Sequence, residues 1–301
     1  MSEIITKDVF RSYLVRYQLL FGEDKLTGAE GAKAVFRRLG SIQYDPLDVA
    51  GRNADLVLQA RVDNYTPDVL LGLLYRERYL VDGYDKEMCI YRAAEYPWFG
   101  PVRKAHAGAV ERTLAYRGQL GALDILDDVR DFVSIHGPTC TGDISIGGGQ
   151  STSWGHKKLS SAALDYLYNT GELCVAEKRG TRKYFAPAKS ILGEALTMDQ
   201  VFRKEEAFLD FYVKRRVACV GALWNKRGGA WLGHFLEDSA VRQAALDRLC
   251  TSGELRRISV EGIVEPFYVS GDAFFEGDVG KRVSFLAPLD NLLWDRALGL
   301  V

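Results

Sequence analysis

The sequence predicts a mainly α-helical fold that also carries small β-hairpins, an α+β class. Two stretches, "SSAALDYLYNTGELCVAEKRGTRKYFAP" and "RQAALDRLCTSGELRRISVEGIVEPFYVS", share A-A-L-D-x-L followed by G-E-L, which begins at Gly171 and again at Gly253. The helical spacing of Ala163, Leu164 and Leu167 predicts a helix before the first G-E-L. The alternation after it predicts a strand, a turn and a returning strand. Repeats this far apart indicate duplicated small domains rather than a solenoid.

A helix followed by a hairpin is the second half of a winged helix, and a first half lies upstream of each copy. Before the first copy, "ALDILDDVRDFVSIHG" predicts an amphipathic helix ending at Gly137, and "TCTGDIS" predicts a short second helix. Before the second copy, "EEAFLDFYVKRRVA" and "CVGALWN" stand in the same order. Each copy therefore predicts one winged-helix unit.

A looser third copy stands at the front of the chain. "TKDVFRSYLVRYQLL" predicts a helix capped by Thr6, "GAEGAKAVFRRLGSIQYD" a helix ending near Gly40, and "TPDVLLGLLYRERYLVDGYDKEMCIYR" a helix followed by a hairpin. The predicted organisation is three tandem winged-helix units and a C-terminal tail, over residues 1–118, 119–197, 198–275 and 276–301.

The composition is that of an ordinary globular protein and excludes several classes. The chain has 301 residues, of which 47% are hydrophobic and 26% charged, which is enough for two or three domains with sizeable cores. The overall net charge of −1 gives no reason to expect nucleic acid as a partner. A site for a polyanion must therefore come from local basic patches.

Cysteine usage and the N-terminus indicate a reducing compartment. The five cysteines contain no C-x-x-C pair and are expected to be buried apolar residues. "MSEIITKDVF" lacks the apolar run of a signal peptide, and no window approaches the roughly 18 apolar residues of a membrane span. We expect a cytoplasmic monomer.

Motifs for metal, nucleotide and hydrolase chemistry are missing from the sequence. The four histidines show no metal-ligand spacing, and no serine lies in a G-x-S-x-G context. "GGGQSTSW", Gly147 to Trp154, lacks the lysine and the spacing of a phosphate loop, so a flexible connector is the simpler interpretation. No metal and no cofactor are predicted.

Basic residues concentrate in the middle unit. Its predicted recognition helix opens with Lys157 and Lys158, and its wing "EKRGTRKYF" carries four more cations, which suits a wing lying on DNA phosphates. The alternative is a solvated surface hairpin. The predicted DNA-binding residues are Arg52, Lys157, Lys158, Lys178, Arg179, Arg182, Lys183, Lys226 and Arg227.

The segment "QYDPLDVAGRNADLVLQAR" places a glutamine and an aspartate two residues apart. Pro46 disfavours helical backbone at Asp45, and alternation along extended backbone then points Gln43 and Asp45 to the same side. Such a pair can hold a water, with Asp45 accepting its proton and Gln43 orienting it. A plain Asp-Pro turn is the alternative.

From these residues onward the chain resembles the winged-helix DNA glycosylases of the HTH_42 group. That group includes the YcaQ-type and AlkZ-type enzymes, which remove bulky alkylated bases and unhook interstrand crosslinks. The motif Gln43-x-Asp45 is similar to the Gln-x-Asp of the YcaQ-type branch. Further matches are "DKEMCIYRAAEYPWF", the two G-E-L units and "FLAPLDNLLWDR". Members usually continue beyond "DNLLWDR" into a further segment, whereas this sequence ends at Val301.

The resemblance implies a DNA repair enzyme that acts on double-stranded DNA with alkylated bases. An N7-alkylated guanine is cationic and leaves without a general acid, so one carboxylate suffices. Asp45 would stabilise the oxocarbenium-like sugar and activate water, while Gln43 orients that water. Nothing in the motif supplies a lysine for a lyase step, so a monofunctional glycosylase is expected. The units are expected to surround a DNA-binding concavity. The alternative is a non-catalytic winged-helix DNA-binding protein, such as a transcriptional regulator.

Overall fold

The computed structural model describes residues 3–21, 26–45, 51–146, 159–198, 201–277 and 283–300. Helices and strands mix along the chain, which confirms the predicted combination of the two. The chain forms two compact units. One comprises Met1–Leu73, Asp85–Arg92 and Phe202–Val301, and the other comprises Leu74–Tyr84 and Ala93–Val201. The division into three winged-helix units stays a prediction.

The first unit combines long helices with short strands. Its helices are α1 (Lys7–Tyr17), α2 (Gly28–Leu39), α3 (Asn53–Gln59), α4 (Pro67–Leu71), α9 (Glu205–Val220) and α10 (Ser239–Thr251). Its strands are β1 (Glu3–Ile5), β2 (Leu26–Thr27), β3 (Ser41–Gln43), β4 (Val62–Asp63), β6 (Met88–Arg92), β9 (Ala222–Trp224), β10 (Leu255–Val260) and β11 (Phe267–Ser270).

A four-stranded sheet with the order β1-β10-β11-β9 organises part of this unit. β1 is parallel to β10, and the other two pairs are antiparallel. Aromatic rings pack on the sheet: the ring centroid of Phe267 lies 4.6 Å from that of Phe10 in α1 and 5.0 Å from that of Trp224. Burial of these rings joins the N-terminal helix to strands from the far end of the sequence.

The strand β3 follows directly on α2. Gly40 ends the helix with φ +72°, and a Cβ at this position would lie 3.3 Å from the guanidinium of Arg215. Positive φ and close approach both favour glycine here. β3 then pairs antiparallel with β6, with Gln43 opposite Cys89. This pairing sets the position of the predicted catalytic residues.

The second unit is built around a two-stranded hairpin. Its elements are β5 (Leu80–Tyr84), α5 (Gly100–Tyr116), α6 (Leu126–His136), α7 (Leu159–Asn169), β7 (Leu173–Arg179), β8 (Arg182–Pro187) and α8 (Ala188–Leu192). Helices α6 and α7 pack against each other and against the hairpin β7–β8. The buried hydroxyl of Tyr168 in α7 donates to Asp82 Oδ2 at 2.8 Å.

The predicted sequence repeat has a structural counterpart. Gly171 and Gly253 follow the two repeat helices with φ +84° and +76°, as expected for glycine after a helix. The carbonyl of Glu172 accepts from Ala188 N at 2.8 Å, and that of Glu254 accepts from Gly271 N at 2.9 Å. A helix, a glycine turn and a strand hairpin therefore occur in both copies, as the sequence predicts.

The predicted helix at "TCTGDIS" is wrong. Thr139 instead forms a β-bridge with Phe185, and the chain turns over Cys140–Asp143. The carboxylate of Asp143 accepts from Cys140 N at 2.9 Å, so a local side-chain bond competes with the first helical turn. Pairing with the hairpin then holds Thr139 in extended backbone.

Some sequence predictions fall outside the described residues. They concern Pro46, the segment Gly147 to Trp154, Lys157 and Lys158. Over the part of the chain that the structure describes, no helix combines the length and apolarity needed to cross a membrane.

Candidate active site

Gln43 and Asp45 line one cleft of about 750 Å³ in the first unit. Ile42 and Tyr44, the residues that alternate with them, are buried, while Gln43 and Asp45 are half-buried. The amide of Tyr44 donates to the carbonyl of Met88 at 2.8 Å and continues the β3–β6 pairing. The spacing of the motif thus directs both polar side chains to the same space.

Among the described residues, three other segments contribute to the walls of this cleft. One is the turn before β6, a second is the loop after β9, and a third lies near the C-terminus. They contribute Lys86–Met88, Arg227–Gly229 with Leu232, and Pro288–Leu289 with Leu293–Ala297. Residues far apart in sequence therefore surround the glutamine–aspartate pair.

Lys86 contacts Gln43 directly. Its Nζ donates to Gln43 Oε1 at 3.1 Å and lies 5.1 Å from the centroid of the Trp294 ring. Burial lowers the pKa of Lys86 below its ordinary value, and the nearby Arg216 lowers it further. The Gln-x-Asp motif itself supplies no lysine, but the fold brings Lys86 to it from another segment. Lys86 lies in the "DKEM" segment, but only the β3–β6 pairing brings it to Gln43.

A buried ionic network supports the turn that carries Lys86. Asp85 is fully buried and pairs with Arg216 at 3.1 Å and Arg215 at 3.4 Å, both from α9. Ser41 Oγ of β3 donates to Asp85 Oδ2 at 2.6 Å. Burial alone would raise the pKa of Asp85, but Arg216 and Arg215 hold it below its ordinary value. The network joins α9, β3 and the turn at one point.

The C-terminal residues are anchored to the same framework. Asp290 forms a fully buried ion pair with Arg61 at 2.7 Å. The side chain of Asn291 donates to the carbonyls of Ser41 at 2.8 Å and Cys219 at 3.1 Å. Asp295 accepts from Trp224 Nε1 at 2.7 Å. The segment predicted as a tail therefore forms one wall of the cleft.

Comparison with known proteins identifies the family. A model described as "DNA glycosylase AlkZ-like" matches residues 36–298. The chain belongs to the AlkZ-like DNA glycosylase family. The resemblance carried by the sequence motifs is thereby confirmed, and the family implies hydrolysis of an N-glycosyl bond in DNA.

A solved structure shows that the fold is shared. The DNA glycosylase AlkZ of Streptomyces sahachiroi is 12% identical, with a TM-score of 0.61, over 88% of this chain and 70% of that one. No match is found among functionally curated proteins.

A DNA glycosylase must also hold the phosphates around its target, and the predicted cations of the first unit differ in their availability. Arg227 is exposed and lines the cleft. Its neighbour Lys226 pairs with Glu265 at 2.7 Å and lies over the Trp224 ring. Arg52 pairs with Asp55 at 2.5 Å. Arg296, which sequence reasoning did not single out for DNA binding, is exposed and lines the cleft as well.

The four cations of the hairpin β7–β8 lie opposite one another across the strands. Lys178 faces Lys183, and Arg179 faces Arg182. Like charges in directly opposed positions destabilise a hairpin. Two of them rest on aromatic rings: Arg179 lies 4.4 Å from the centroid of Tyr184, and Lys183 lies 4.6 Å from that of Tyr168.

This arrangement affects the protonation of the hairpin. Burial of the Lys178 side chain, together with the positive charge of Lys183, lowers the pKa of Lys178 to about 7. Arg179 also pairs with Glu177 at 2.5 Å, and an anion bound beside the hairpin would relieve the remaining repulsion.

Within the described residues, no three histidine, cysteine, aspartate or glutamate side chains gather in an arrangement that could hold a metal ion.

Proposed function

We propose that this protein is a monofunctional DNA glycosylase that hydrolyses the N-glycosidic bond of N7-alkylguanine-type bases in duplex DNA. Asp45 takes the proton of the attacking water and stabilises the oxocarbenium-like sugar, and Gln43 orients that water. The observation that carries the proposal is the shared cleft: a half-buried carboxylate and a half-buried carboxamide face one space, with Arg227 at its edge.

The chemistry needs only one carboxylate because the substrate is already activated. An alkyl group on N7 makes guanine cationic, so the base departs as a neutral molecule without protonation by the enzyme. A glycosidase acting on an unactivated bond uses two carboxyl groups. Asp295 also lines the cleft, but its carboxylate accepts from Trp224 Nε1 and from Ala297 N. We assign Asp295 a structural role and Asp45 the chemical one.

The proposal extends to crosslinked and bulky substrates in double-stranded DNA. Two guanines joined through their N7 atoms carry the same cationic, activated bonds, so hydrolysis of one of them unhooks the strands. The DNA contacts we propose are Arg52, Lys226 and Arg227 of the first unit and the cations of the hairpin β7–β8. The repeated order of helix and hairpin supports three tandem winged-helix units, which commonly bind duplex DNA.

Base release from an N7-methylguanine duplex tests the catalytic assignment. We expect Asp45→Asn to slow single-turnover release by about 10²–10⁴-fold, because the substituted amide cannot accept the proton of water. Glu237→Gln removes an exposed negative charge from the same unit and serves as the control, with a rate close to wild type. Equal rates for wild type and Asp45→Asn would contradict the role of Asp45. No release by wild type would favour the regulator alternative.

Borohydride reduction of mixtures with abasic DNA tests the monofunctional assignment. A lyase forms an imine between a lysine and the sugar, and borohydride converts that imine into a stable covalent adduct. We expect no adduct, because the lysine at the cleft, Lys86, is held by Gln43 and the Trp294 ring. A trapped adduct at Lys86 would show a lyase step instead.

A further inference from the structure

The contact between Lys86 and Gln43 determines which atoms of the Gln43 carboxamide are available in the cleft. We propose that Lys86 is a positioning residue that locks the Gln43 amide with its oxygen turned away from the nucleophilic water and its NH₂ group turned toward it. This inference rests on the proposed glycosylase function. It adds that, of the two residues that hold the water, Gln43 is the hydrogen-bond donor and Asp45 the acceptor.

The polarity follows from hydrogen-bonding capacity. A protonated lysine has three donors and no acceptor, whereas a carboxamide has an acceptor oxygen and a donor nitrogen. The atom of Gln43 that faces Lys86 Nζ at 3.1 Å must therefore be Oε1. The nitrogen lies on the other side of the amide carbon, and the half-buried side chain lines the cleft. The group left for a ligand in the cleft is a donor.

A donor at Gln43 and an acceptor at Asp45 suit a water nucleophile. The water oxygen accepts from Gln43 Nε2, and one of its hydrogens points to the Asp45 carboxylate, which leaves a lone pair for C1′. In the reaction the new bond forms between the water oxygen and C1′, and the C1′–N9 bond breaks. Its electron pair enters the cationic base, which leaves neutral, and the water proton moves to Asp45. A reversed amide would compete with Asp45 for the same hydrogen.

Lys86 itself is firmly held. Its side chain lies against the Trp294 ring, and the preceding residue, Asp85, is anchored by Arg215 and Arg216. Gly233, at φ +103°, approaches the turn so closely that a Cβ would lie 2.9 Å from the Asp85 carbonyl oxygen and 3.0 Å from that of Lys86. The backbone of the turn is therefore tightly packed, and the amine of Lys86 is held in a fixed position.

The first experiment compares Lys86→Met, Lys86→Arg, Gln43→Ala and the double variant Lys86→Met/Gln43→Ala in single-turnover base release from N7-methylguanine duplex. We expect Lys86→Met to slow release on the order of 100-fold, the scale of a misplaced catalytic group, with unchanged duplex affinity. Lys86→Arg keeps a charged donor and restores most of the rate. In the double variant the reduction equals that of Gln43→Ala alone, since Lys86 acts through the amide.

The outcomes separate the two proposals. A wild-type rate for Lys86→Met, or reductions that add in the double variant, would overturn the positioning role while Asp45→Asn still reports on the proposed function. Absence of base release by wild type refutes the glycosylase proposal and this inference together. Weaker duplex binding by Lys86→Met with an unchanged rate would show that Lys86 contacts DNA rather than Gln43.

A second measurement covers the case in which Lys86→Met does not fold. Lys86 is faced by Asp85 and Glu87 in its own turn, by Cys89 of β6 and by Arg216 of α9, and burial lowers its pKa. As pH rises through that lowered pKa, the neutral amine can accept as well as donate, and the amide is no longer locked. The wild-type rate should therefore fall on the alkaline side, while Lys86→Arg stays level. Superimposable pH profiles of the base-release rate for wild type and Lys86→Arg would overturn the proposal.

Discussion

The cleft around Gln43 and the hairpin β7–β8 both gather polar side chains, but they hold them differently. In the cleft, Lys86 contacts Gln43, and the turn that carries it rests on a fully buried Asp85 with two arginines. In the hairpin, Arg179 and Arg182 are exposed, and like charges face one another across the strands. Buried partners fix the orientation of the side chains in the cleft, whereas the exposed cations add positive charge to the surface of the hairpin.

This difference sets the size of the effects that substitutions should have. A buried charge that loses its partner stays in a medium of low polarity, and the cost is several kcal/mol. An exposed cation is screened by water and salt, and its contribution to binding appears only as part of a sum over many phosphates. Changes to the buried charges that support the cleft should therefore act singly and strongly, and changes to exposed cations should act weakly and together.

The largest effect is expected for Asp85→Ala, which leaves Arg215 and Arg216 buried without their carboxylate. The free energy of unfolding should fall by about 3–5 kcal/mol, measured by urea denaturation at neutral pH. Glu237→Ala, an exposed carboxylate in the same unit, should change it by no more than about 0.5 kcal/mol.

Wild type and Asp85→Ala can also be compared for the direction in which their difference in stability changes with pH. The pKa of Asp85 is depressed, so its stabilisation is present above the ordinary carboxyl range and is lost as pH falls through the folded-state value. The difference between wild type and Asp85→Ala should therefore shrink in acid. A difference that grows in acid would contradict the assignment of Asp85 as an anion.

The next effect concerns the whole hairpin. Replacing Lys178, Arg179, Arg182 and Lys183 with alanine should weaken duplex binding and flatten its salt dependence. The logarithmic slope should fall by up to about 0.9 for each phosphate that the variant no longer neutralises. Fluorescence anisotropy across a salt series measures it. Lys189→Ala, an exposed lysine of α8 in the same unit, is the control, and an unchanged slope in the fourfold variant would reject the surface.

A smaller effect is expected at the edge of the cleft. Arg227→Ala should weaken binding of the N7-methylguanine duplex by about tenfold, as expected for one charge-assisted hydrogen bond. Lys226→Ala is the neighbouring comparison, and its reduction should be smaller because Lys226 is already engaged with Glu265. The same equilibrium binding assay compares them. Equal reductions in both variants would mean that the loop acts through its total charge rather than through Arg227.

The smallest effect is a dependence on pH near neutrality. With a pKa of about 7, Lys178 is protonated below that value and neutral above it, so duplex affinity should decline a few-fold between about pH 6 and pH 8. Lys178→Arg stays charged and should remove this decline. Parallel pH profiles of the two proteins would contradict a contact between Lys178 and DNA.

Sequence patterns predicted those features that depend on neighbours along the chain. Thr6 caps α1 by accepting from Val9 N, and Gly137 and Gly171 follow helices with positive φ, each through local backbone chemistry. The two-residue spacing of Gln43 and Asp45 is also local. The helix predicted at "TCTGDIS" failed because Thr139 pairs with Phe185, a partner that local propensity does not reveal.

The two repeat copies show which features cannot be predicted from the local sequence. Both contain a helix, a glycine turn and a hairpin, yet β7–β8 is a two-stranded sheet whereas β10–β11 lies within a four-stranded sheet with β1 and β9. The same pattern thus gives a separate two-stranded sheet that packs on α6 and α7 in one place, and part of a larger sheet in the other. The difference comes from strands supplied by distant segments.

By itself, the sequence determined the repeat with its helices and glycine turns, the Gln-x-Asp motif and the family. Only the tertiary structure decided what surrounds the motif: Lys86 on Gln43, the arginines of α9 on Asp85, and Asn291 on the carbonyl of Ser41. The physical reason is that periodicity and caps reflect interactions within a few residues. The cleft depends instead on strand pairing and on burial of charges between segments up to 250 residues apart.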